Sequence, residues 1–413
     1  MADVQPLRAL HYDPAVAGPL DRLVAPPYDV IDAEKRAELA GRSAHNVVNV
    51  DLPEGDGDPY EHAAGLLRSW IDEGAVVRDD APALWVLRQD YVGPDGEART
   101  RTGFFARIRV EEYGPGRIRP HERTHPGPKE DRLRLTRATR ANMSPIFVLH
   151  PGPTLVHGGG EPWGDVTDED GTRHRLWRMD DPEQIGRVQE ALADAELLIA
   201  DGHHRYETAR AYAEEIGGEG DHRYVLACLV GLEDPGLTVY PTHRLVKDTT
   251  PAQQEALAAV LREDFAIEQV GRDQLAPPPG DGPTELGYLD AHFKQPFRLR
   301  LADQAIADRA LADHPEPYRR LDAAVLESLL LKGPLELTDD DISHLHRFGY
   351  ARDAAQAVAL VESGEYDVAF LLRATPVEQV REVAAAGASM PPKSTYFFPK
   401  LLTGLLFNPL EVS

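Results

Sequence analysis

Short apolar runs alternate with amphipathic segments along most of the chain. The apolar runs have the length and the β-branched or aromatic content of strands, and they cover residues 83–91, 102–110, 145–149, 195–200, 223–231 and 366–372. The amphipathic segments repeat apolar residues every three or four positions, which predicts helices, and they cover residues 60–73, 183–193, 203–216, 321–331, 353–363 and 377–386. A further short strand is expected at 47–50. This mixture predicts an α+β fold, with helices packed on mixed sheets.

Two tracts rich in glycine and proline interrupt this pattern, at residues 151–170 and 276–283. Such tracts usually form loops and surface connections. Together with the length of the chain, they predict three regions. These are an N-terminal α+β region over 1–150, a middle unit over 151–250 and a C-terminal α+β region over 251–413.

The charge balance restricts the possible partners. The chain has 44 Lys and Arg against 69 Asp and Glu, a formal net charge of −25. This excess of negative charge argues against nonspecific binding of nucleic acid or of an anionic membrane. A small-molecule substrate is the expected partner, and the oligomeric state stays open.

Cysteine usage and hydropathy favour a cytoplasmic location. Cys228 is the single cysteine, so no intramolecular disulfide can form. It lies in the apolar run 224–230, where a buried core thiol is expected rather than a reactive one. No apolar stretch approaches the roughly 20 residues that span a bilayer, and the N-terminus lacks the pattern of a signal peptide.

The most distinctive polar segment follows the apolar run 195–200 and opens a predicted helix. It reads, in order, Asp201, Gly202, His203, His204 and Arg205. A helix N-terminus presents unpaired N–H groups and the positive end of the helix dipole, and both attract anions. Gly202 lets the backbone approach a ligand without a Cβ in the way. Imidazoles and a guanidinium at such a turn favour a phosphate ligand. The alternative is that His204 and Arg205 only pair with surface acids such as Glu207.

A second polar cluster covers residues 121–132 and combines carboxylates with cations. Phosphoryl transfer needs a carboxylate to bind Mg²⁺, cations to hold the phosphates and often a base for the attacking hydroxyl. Glu122 and Asp131 could supply the carboxylates, and Lys129 and Arg132 the cations. The alternative is a solvated loop that leads into a charged helix over 130–141.

A third cluster covers residues 390–400 and combines two lysines with hydroxyls and aromatic residues. Lys393 could bind phosphate, and Ser394 and Thr395 could bind a substrate carboxylate. His243 and Arg244 follow a predicted strand and could join the same site. The alternative is a proline-stiffened turn with solvated lysines. No G-x-x-x-x-G-K-[ST] or G-x-G-x-x-G motif is present, so neither a P-loop nor a Rossmann site is expected.

Several of these segments together resemble the bacterial and archaeal family known as domain of unknown function 1015, DUF1015. The matching segments are 25–30, 127–133, 200–209, 241–244 and 390–400. The turn at 201–205 also resembles, more distantly, the nucleotide-binding turn of the partition-protein/sulfiredoxin (ParB/sulfiredoxin-like) fold. In sulfiredoxins this turn carries a cysteine where this chain has His203, so sulfiredoxin activity is not expected. In the free L-serine kinases of that fold, the turn is close to Asp-Gly-His-His-Arg.

The second resemblance, which covers about residues 197–246, implies that the middle unit is a partition-protein/sulfiredoxin-like nucleotide-binding unit. It implies a small-molecule kinase that phosphorylates a hydroxyl metabolite, with free L-serine as the leading acceptor. The donor would be ATP, ADP or pyrophosphate, with Mg²⁺.

In this hypothesis Asp201, Gly202, His203, His204 and Arg205 hold the donor, and Lys129, Arg132 and Lys393 neutralise its charge. Glu122 or Asp131 binds Mg²⁺ or accepts the hydroxyl proton, and His204 is a further catalytic candidate. His243, Arg244, Ser394 and Thr395 bind the acceptor. The hypothesis requires the three clusters to converge, with the final loop returning to the site. The alternatives are a CTP- or ATP-binding regulatory switch without kinase activity and a non-enzymatic adaptor.

Overall fold

A computed structural model describes residues 2–93, 96–113, 117–122 and 126–411. The chain divides into two compact units. Unit 1 comprises Met1–Thr238 and Pro399–Ser413, and unit 2 comprises Val239–Phe398. Unit 1 therefore contains both the start and the end of the chain. The division of the sequence at residues 150 and 250 stays a prediction.

The strands of unit 1 are numbered in chain order. They are β1 Val4–Gln5, β2 Leu10–Tyr12, β3 Val76–Arg78, β4 Leu84–Val92, β5 Ala98–Arg109, β6 Ile118–Arg119, β7 Ala141–Asn142, β8 Ile146–His150, β9 Gly164–Thr167, β10 Arg173–Met179, β11 Leu197–Asp201 and β12 Tyr224–Gly231. The large sheet has the order β6-β11-β8-β12-β5-β4-β10-β9, and β1 pairs with β5. It is mixed, because β12 runs parallel to β8 and antiparallel to β5.

The middle strands of this sheet are buried. Every residue of β8 is buried, and so is the run from Val225 to Gly231 in β12, as expected of strands covered on both faces. Cys228 lies in β12 opposite Phe105 and is fully buried. Burial raises the pKa of its thiol to about 12. This is the buried core thiol that the apolar run predicted.

The helices of unit 1 account for the amphipathic segments in the first half of the sequence. They are α1 Pro14–Ala17, α2 Ala33–Arg42, α3 Val48–Asp51, α4 Pro59–Asp72, α5 Pro126–Thr139, α6 Pro182–Leu192 and α7 His203–Ile216. The carboxylates of Asp58 and Asp181 cap α4 and α6 by accepting from first-turn N–H groups. Helix α5 packs against α4 and α7, so the second polar cluster lies beside the helix that follows the first.

Unit 2 is built on a six-stranded antiparallel sheet. Unit 2 has eight strands among the described residues, and six of them form this sheet. The eight are β13 Thr238–Tyr240, β14 His243–Val246, β15 Phe265–Gln269, β16 Glu285–Asp290, β17 Phe297–Leu301, β18 Phe348–Ala351, β19 Val368–Leu371 and β20 Tyr396–Phe398. Strand β13 begins at the last residue of unit 1. The order is β15-β17-β16-β19-β14-β18, and β13 pairs separately with β20. The last strand of the chain, β21 Asn408–Pro409, pairs with β7 in unit 1.

The helices of unit 2 are α8 Pro251–Asp264, α9 Gln304–Ala310, α10 Glu316–Arg319, α11 Asp322–Leu326, α12 Asp339–His344, α13 Ala354–Glu362 and α14 Val377–Ala385, and a π-helical turn spans Glu327–Leu331. The predicted α+β class, with mixed sheets and packed helices, is confirmed. Every helix among the described residues is too short or too polar to traverse a lipid bilayer.

The prediction of a strand at 47–50 is wrong, because residues 48–50 belong to the short helix α3. The side chain of Asn46 accepts a hydrogen bond from the Val48 N–H at 3.0 Å and starts the turn. Val48 and Val50 are fully buried, and α3 packs against α4. Tertiary burial therefore outweighs the strand preference of the valines.

Candidate active site

The turn between β11 and α7 has the strand–glycine–helix form that the sequence predicted. Gly202 is the N-cap of α7, with φ 93° and ψ 29°, in the left-handed region. A Cβ at this position would lie 3.0 Å from Ile146 Cγ2 and 3.1 Å from Arg205 Cζ. Glycine is therefore required by both the backbone angle and the close approach. It also supplies no side chain to cap the first-turn N–H groups of α7.

Two cations surround the carboxylate of Asp201. Arg205 Nη2 donates to Asp201 Oδ2 at 2.8 Å, and Lys400 Nζ donates to Asp201 Oδ1 at 2.9 Å. Arg205 also donates to the Pro145 carbonyl. Burial alone would raise the pKa of Asp201, but Lys400 and Arg205 outweigh it and hold the pKa far below the usual value. The three ionised groups therefore carry a net charge of +1 at the N-terminus of α7.

The two buried histidines beside this turn are neutral. The backbone N–H of His121 donates to His203 Nε2 at 3.2 Å, so His203 Nε2 carries no proton. His121 Nδ1 donates to the Ile199 carbonyl at 2.7 Å, and the two rings meet edge to face at 4.7 Å. Burial lowers the pKa of His121 to about 4 and that of His203 well below its usual value. The positive charge expected of His203 is therefore absent at neutral pH.

Arg132, from the second cluster, is at the centre of a buried network. Its Nη1 donates to Asp51 Oδ1 at 3.1 Å and its Nε to Asp131 Oδ2 at 2.7 Å. Its guanidinium lies over the Tyr28 ring, 4.5 Å from the centroid. Asp131 also accepts from the Tyr60 hydroxyl at 2.7 Å. Arg132 is therefore well anchored, and Asp131 is already engaged by two donors.

The remaining residues of the second cluster lie near α7. Lys129 Nζ is 3.4 Å from Glu207 Oε2, and the Thr208 hydroxyl donates to the Lys129 carbonyl at 3.4 Å. Glu122 is partly buried, one residue after His121. Residues 123–125 of this cluster lie outside the described residues. The first and second clusters thus both belong to unit 1. The first lies at the end of β11 and the start of α7, and the second begins after β6 and continues into α5.

The third cluster is divided between the two units. Lys400 belongs to unit 1, whereas His243, Arg244, Lys393, Ser394 and Thr395 belong to unit 2. Arg244 donates to the carbonyls of Thr242, Pro392 and Lys393, and Ser394 donates to the Pro391 carbonyl at 2.6 Å. These bonds hold the 391–394 turn against β14.

His243 is also held inside unit 2. Its Nδ1 accepts a hydrogen bond from the Leu372 N–H at 3.2 Å. Burial lowers its pKa to about 4. A substrate-binding role for His243, Arg244, Ser394 and Thr395, and a phosphate-binding role for Lys393, stay predictions.

A small pocket in unit 1 lies between the two buried networks. Its cavity volume is about 40 Å³. The polar side chains that line it are those of Tyr28, Asp51, Arg132, Thr136, Asn142, Ser144, Arg205 and Thr208. Burial raises the pKa of Asp51, although Arg132 and Arg205 oppose that shift. The pocket therefore joins the turn at 201–205 to the network around Arg132.

Sequence reasoning missed three residues of this arrangement. Lys400 was part of the third cluster but was given no role, because nothing near it in sequence points to Asp201. Asp51 was hidden in a segment that resembles a strand. His121 belonged to the second cluster, but its contact with His203 depends on the pairing of β6 with β11.

The comparisons with known proteins identify the family. The family model described as protein of unknown function (DUF1015) matches residues 4–329, so the chain belongs to this family. A search of curated proteins finds no significant match.

Among solved structures, the chain is similar to a conserved hypothetical protein from Pyrococcus furiosus, with 16% identity, a TM-score of 0.35, and coverage of 68% of this chain and 87% of that one. It is also similar to a free serine kinase in complex with AMP, with 14% identity, a TM-score of 0.36, and coverage of 68% and 83%. SbnI with a C-terminal truncation, from Staphylococcus aureus, gives 11% identity, a TM-score of 0.36, and coverage of 70% and 82%.

Proposed function

We propose that this protein is a phosphotransferase that acts on a small hydroxyl metabolite, with free L-serine as the leading acceptor and ATP, ADP or pyrophosphate as the donor. One observation carries the proposal. Two cations, Arg205 and Lys400, flank the single carboxylate of Asp201 where α7 begins at an uncapped glycine. The local charge is positive in a chain whose net charge is −25.

The net charge of the turn determines which ligands it can bind. An ionised Asp201 alone would repel a phosphate from the N-terminus of α7. With Lys400 and Arg205 paired to it, the positive charge exceeds the negative by one, and the helix dipole adds to it. The first-turn N–H groups of α7 can donate to phosphate oxygens. These oxygens can come close to the backbone because Gly202 has no Cβ. A phosphate donor fits this set of groups.

In the proposed reaction the acceptor hydroxyl oxygen forms a bond to the terminal phosphorus of the donor. The bond from that phosphorus to the bridging oxygen breaks, and the shortened donor leaves with the electron pair. The hydroxyl proton passes to a carboxylate or imidazole, for which Glu122, Asp131 and His204 are the candidates. The cations Arg205, Lys400 and Lys129 would spread the charge that develops on the phosphoryl oxygens.

Magnesium would be held by the donor phosphates together with one of the carboxylates Glu122 or Asp131. Mg²⁺ in phosphoryl-transfer sites is commonly bound through one or two carboxylates and the substrate phosphates. Within the described residues, no three His, Cys, Asp or Glu side chains are arranged to hold a metal ion by themselves. The ion would neutralise phosphate charge during transfer.

A donor-by-acceptor screen tests this proposal. Purified full-length protein is incubated with Mg²⁺, each of ATP, ADP and pyrophosphate, and each of L-serine, L-threonine, L-homoserine and glycerol. The proposal expects phosphorylation of at least one acceptor, with L-serine favoured. If donors bind but no acceptor is phosphorylated, a nucleotide-binding switch replaces the kinase. If no donor binds, the adaptor alternative is favoured.

A further inference from the structure

The pocket of unit 1 is lined by charged side chains of both signs. Asp51 and Arg132 are both at least nine-tenths buried, at 4% and 5% exposure. Arg205 forms another wall and is also part of the turn at 201–205. A pocket that joins a buried carboxylate to two guanidinium groups suits a ligand that itself carries both charges.

Asp51 has hydrogen-bonding capacity beyond the bond it makes to Arg132. An ionised carboxylate offers about four acceptor positions, and one of the Asp51 oxygens accepts from Arg132 Nη1 at 3.1 Å. Because the group is buried, an uncompensated part of its charge is costly. An ammonium group in the pocket would compensate it and supply three N–H donors.

Tyr28 and Arg205 add hydrogen-bond donors to the lining of the pocket. The Tyr28 hydroxyl makes no hydrogen bond to another of the described residues, and its ring packs under Arg132. Arg205 carries five N–H donors, of which one bonds to Asp201 and one to Pro145. A carboxylate group can accept hydrogen bonds from both a phenol and a guanidinium.

We propose that this pocket binds the α-ammonium group of an amino acid at Asp51 and its α-carboxylate group at Tyr28 and Arg205. The proposal rests on the proposed function and names the site and the chemical class of the acceptor. Arg205 is then shared, because it touches the amino acid on one side and the donor turn on the other. An amino acid held there would have its side-chain hydroxyl beside the phosphate donor.

Calorimetric titration of the full chain tests the site through the two charged groups of the ligand. L-serine is the probe, and L-alanine retains both charged groups. Ethanolamine lacks the carboxylate, and D-glycerate lacks the ammonium group. L-serine and L-alanine should bind with affinities within about tenfold of each other. Ethanolamine and D-glycerate should each bind about tenfold or more weakly than L-serine. Equal affinity for ethanolamine or glycerate, or no binding of L-serine, would overturn the proposal.

Tyr28→Phe is the cleanest variant, because it removes a hydroxyl that makes no hydrogen bond to the described residues. It should leave the melting temperature unchanged and weaken L-serine binding about tenfold. Tyr224→Phe is the matched control. Val225 lines the pocket, and the neighbouring side chain of Tyr224 points to the opposite face of β12, where its hydroxyl donates to Asp3. This control should bind L-serine as the wild type does. Unchanged binding by Tyr28→Phe would reject the site.

A second variant and a kinetic measurement separate this proposal from the proposed function. Asp51→Asn keeps an acceptor oxygen but loses the charge, and should raise the KM for L-serine more than it lowers kcat. If L-serine binds with the expected ligand preferences and no donor is turned over, the proposed phosphotransferase activity is rejected and the amino-acid site is retained. If phosphorylation occurs with a KM that neither variant alters, the amino-acid site fails and the phosphotransferase stands.

Discussion

Lys400 Nζ lies 2.9 Å from Asp201 Oδ1, although 199 positions separate the two residues in the chain. The pair ties the C-terminal segment of unit 1 to the end of β11. It also gives the turn a net charge of +1, because Lys400 and Arg205 together outweigh one carboxylate. The proposed donor site therefore depends on a residue from the far end of the sequence.

Removing either member of this pair should destabilise the protein. Both side chains are mostly buried, at 17% and 24% exposure for Lys400 and Asp201, so each loss leaves a poorly solvated charge. We expect Lys400→Met to cost about 3 kcal/mol in the free energy of unfolding, measured in urea. The double variant Lys400→Met with Asp201→Asn should cost less than the sum of the single changes. Additive costs would mean that the two groups do not interact.

Acid should weaken the same pair. The folded-state pKa of Asp201 is held below its unfolded value by Lys400 and Arg205. Its ionisation therefore contributes stability above the unfolded pKa, near 4, and that stability is lost as the pH falls towards the folded pKa. Urea unfolding between pH 5 and pH 2.5 should show a smaller loss of stability in Asp201→Asn than in the wild type.

A separate loss of stability is expected between pH 6.5 and pH 4, from the buried histidines. Burial lowers the pKa of His121 and that of His243 to about 4 in the folded protein, whereas unfolded histidine titrates near 6.5. The unfolded chain then binds more protons in this interval, so stability rises with pH. The pH slope of the unfolding free energy should be smaller in His121→Asn. An unaltered slope in His121→Asn would refute the assignment.

Gly202→Ala should damage both stability and donor binding. The new Cβ would be strained at φ 93° and would lie 3.0 Å from Ile146 Cγ2. We expect a loss of about 1 to 3 kcal/mol in the free energy of unfolding. Gly186→Ala is the matched control, because Gly186 lies inside α6 with no atom within 4 Å of the added carbon. That control should be neutral or stabilising by up to about 1 kcal/mol.

Cys228 should resist thiol reagents in the folded protein. Its side chain is fully buried in β12, and burial raises its thiol pKa to about 12. The reactive thiolate is therefore scarce and inaccessible. Ellman's reagent should detect no thiol under native conditions and one thiol per chain in urea. Rapid reaction of the folded protein would contradict the buried position.

The sequence predicted the parts of the site that depend on local pattern. The turn at 201–205 could be recognised because an apolar strand, a glycine and a helix follow one another directly. Lys400 and Asp51 could not be assigned, because their partners are distant in sequence and only tertiary packing brings them together. The residues at 47–50 were misread for a related reason, since a capping side chain and burial against α4 make these valines helical.

The third cluster also shows that sequence patterns do not identify contacts between residues that are distant in the chain. Lys393 and Lys400 are seven positions apart and looked equivalent in the sequence. Lys400 ends beside Asp201, whereas the turn that contains Lys393 is held by Arg244 within unit 2. Residue type and spacing indicated a cationic loop, but the side-chain contacts of Lys400 with Asp201 and of Arg244 with the turn join residues that are distant in sequence, so no local pattern encodes them.

If the turn at 201–205 binds a phosphate donor with the help of Lys400, removing the charge of Lys400 must weaken that binding. Equilibrium titration of ATP, ADP and pyrophosphate with Mg²⁺ into the wild type, Lys400→Gln and Lys332→Gln tests it most directly. Lys332 is a matched lysine in unit 2, paired with Glu327 and Asp339. At least one donor should bind the wild type and Lys332→Gln equally, and should bind Lys400→Gln about tenfold or more weakly. Equal affinity for Lys400→Gln, or no binding of any donor to the wild type, would contradict it.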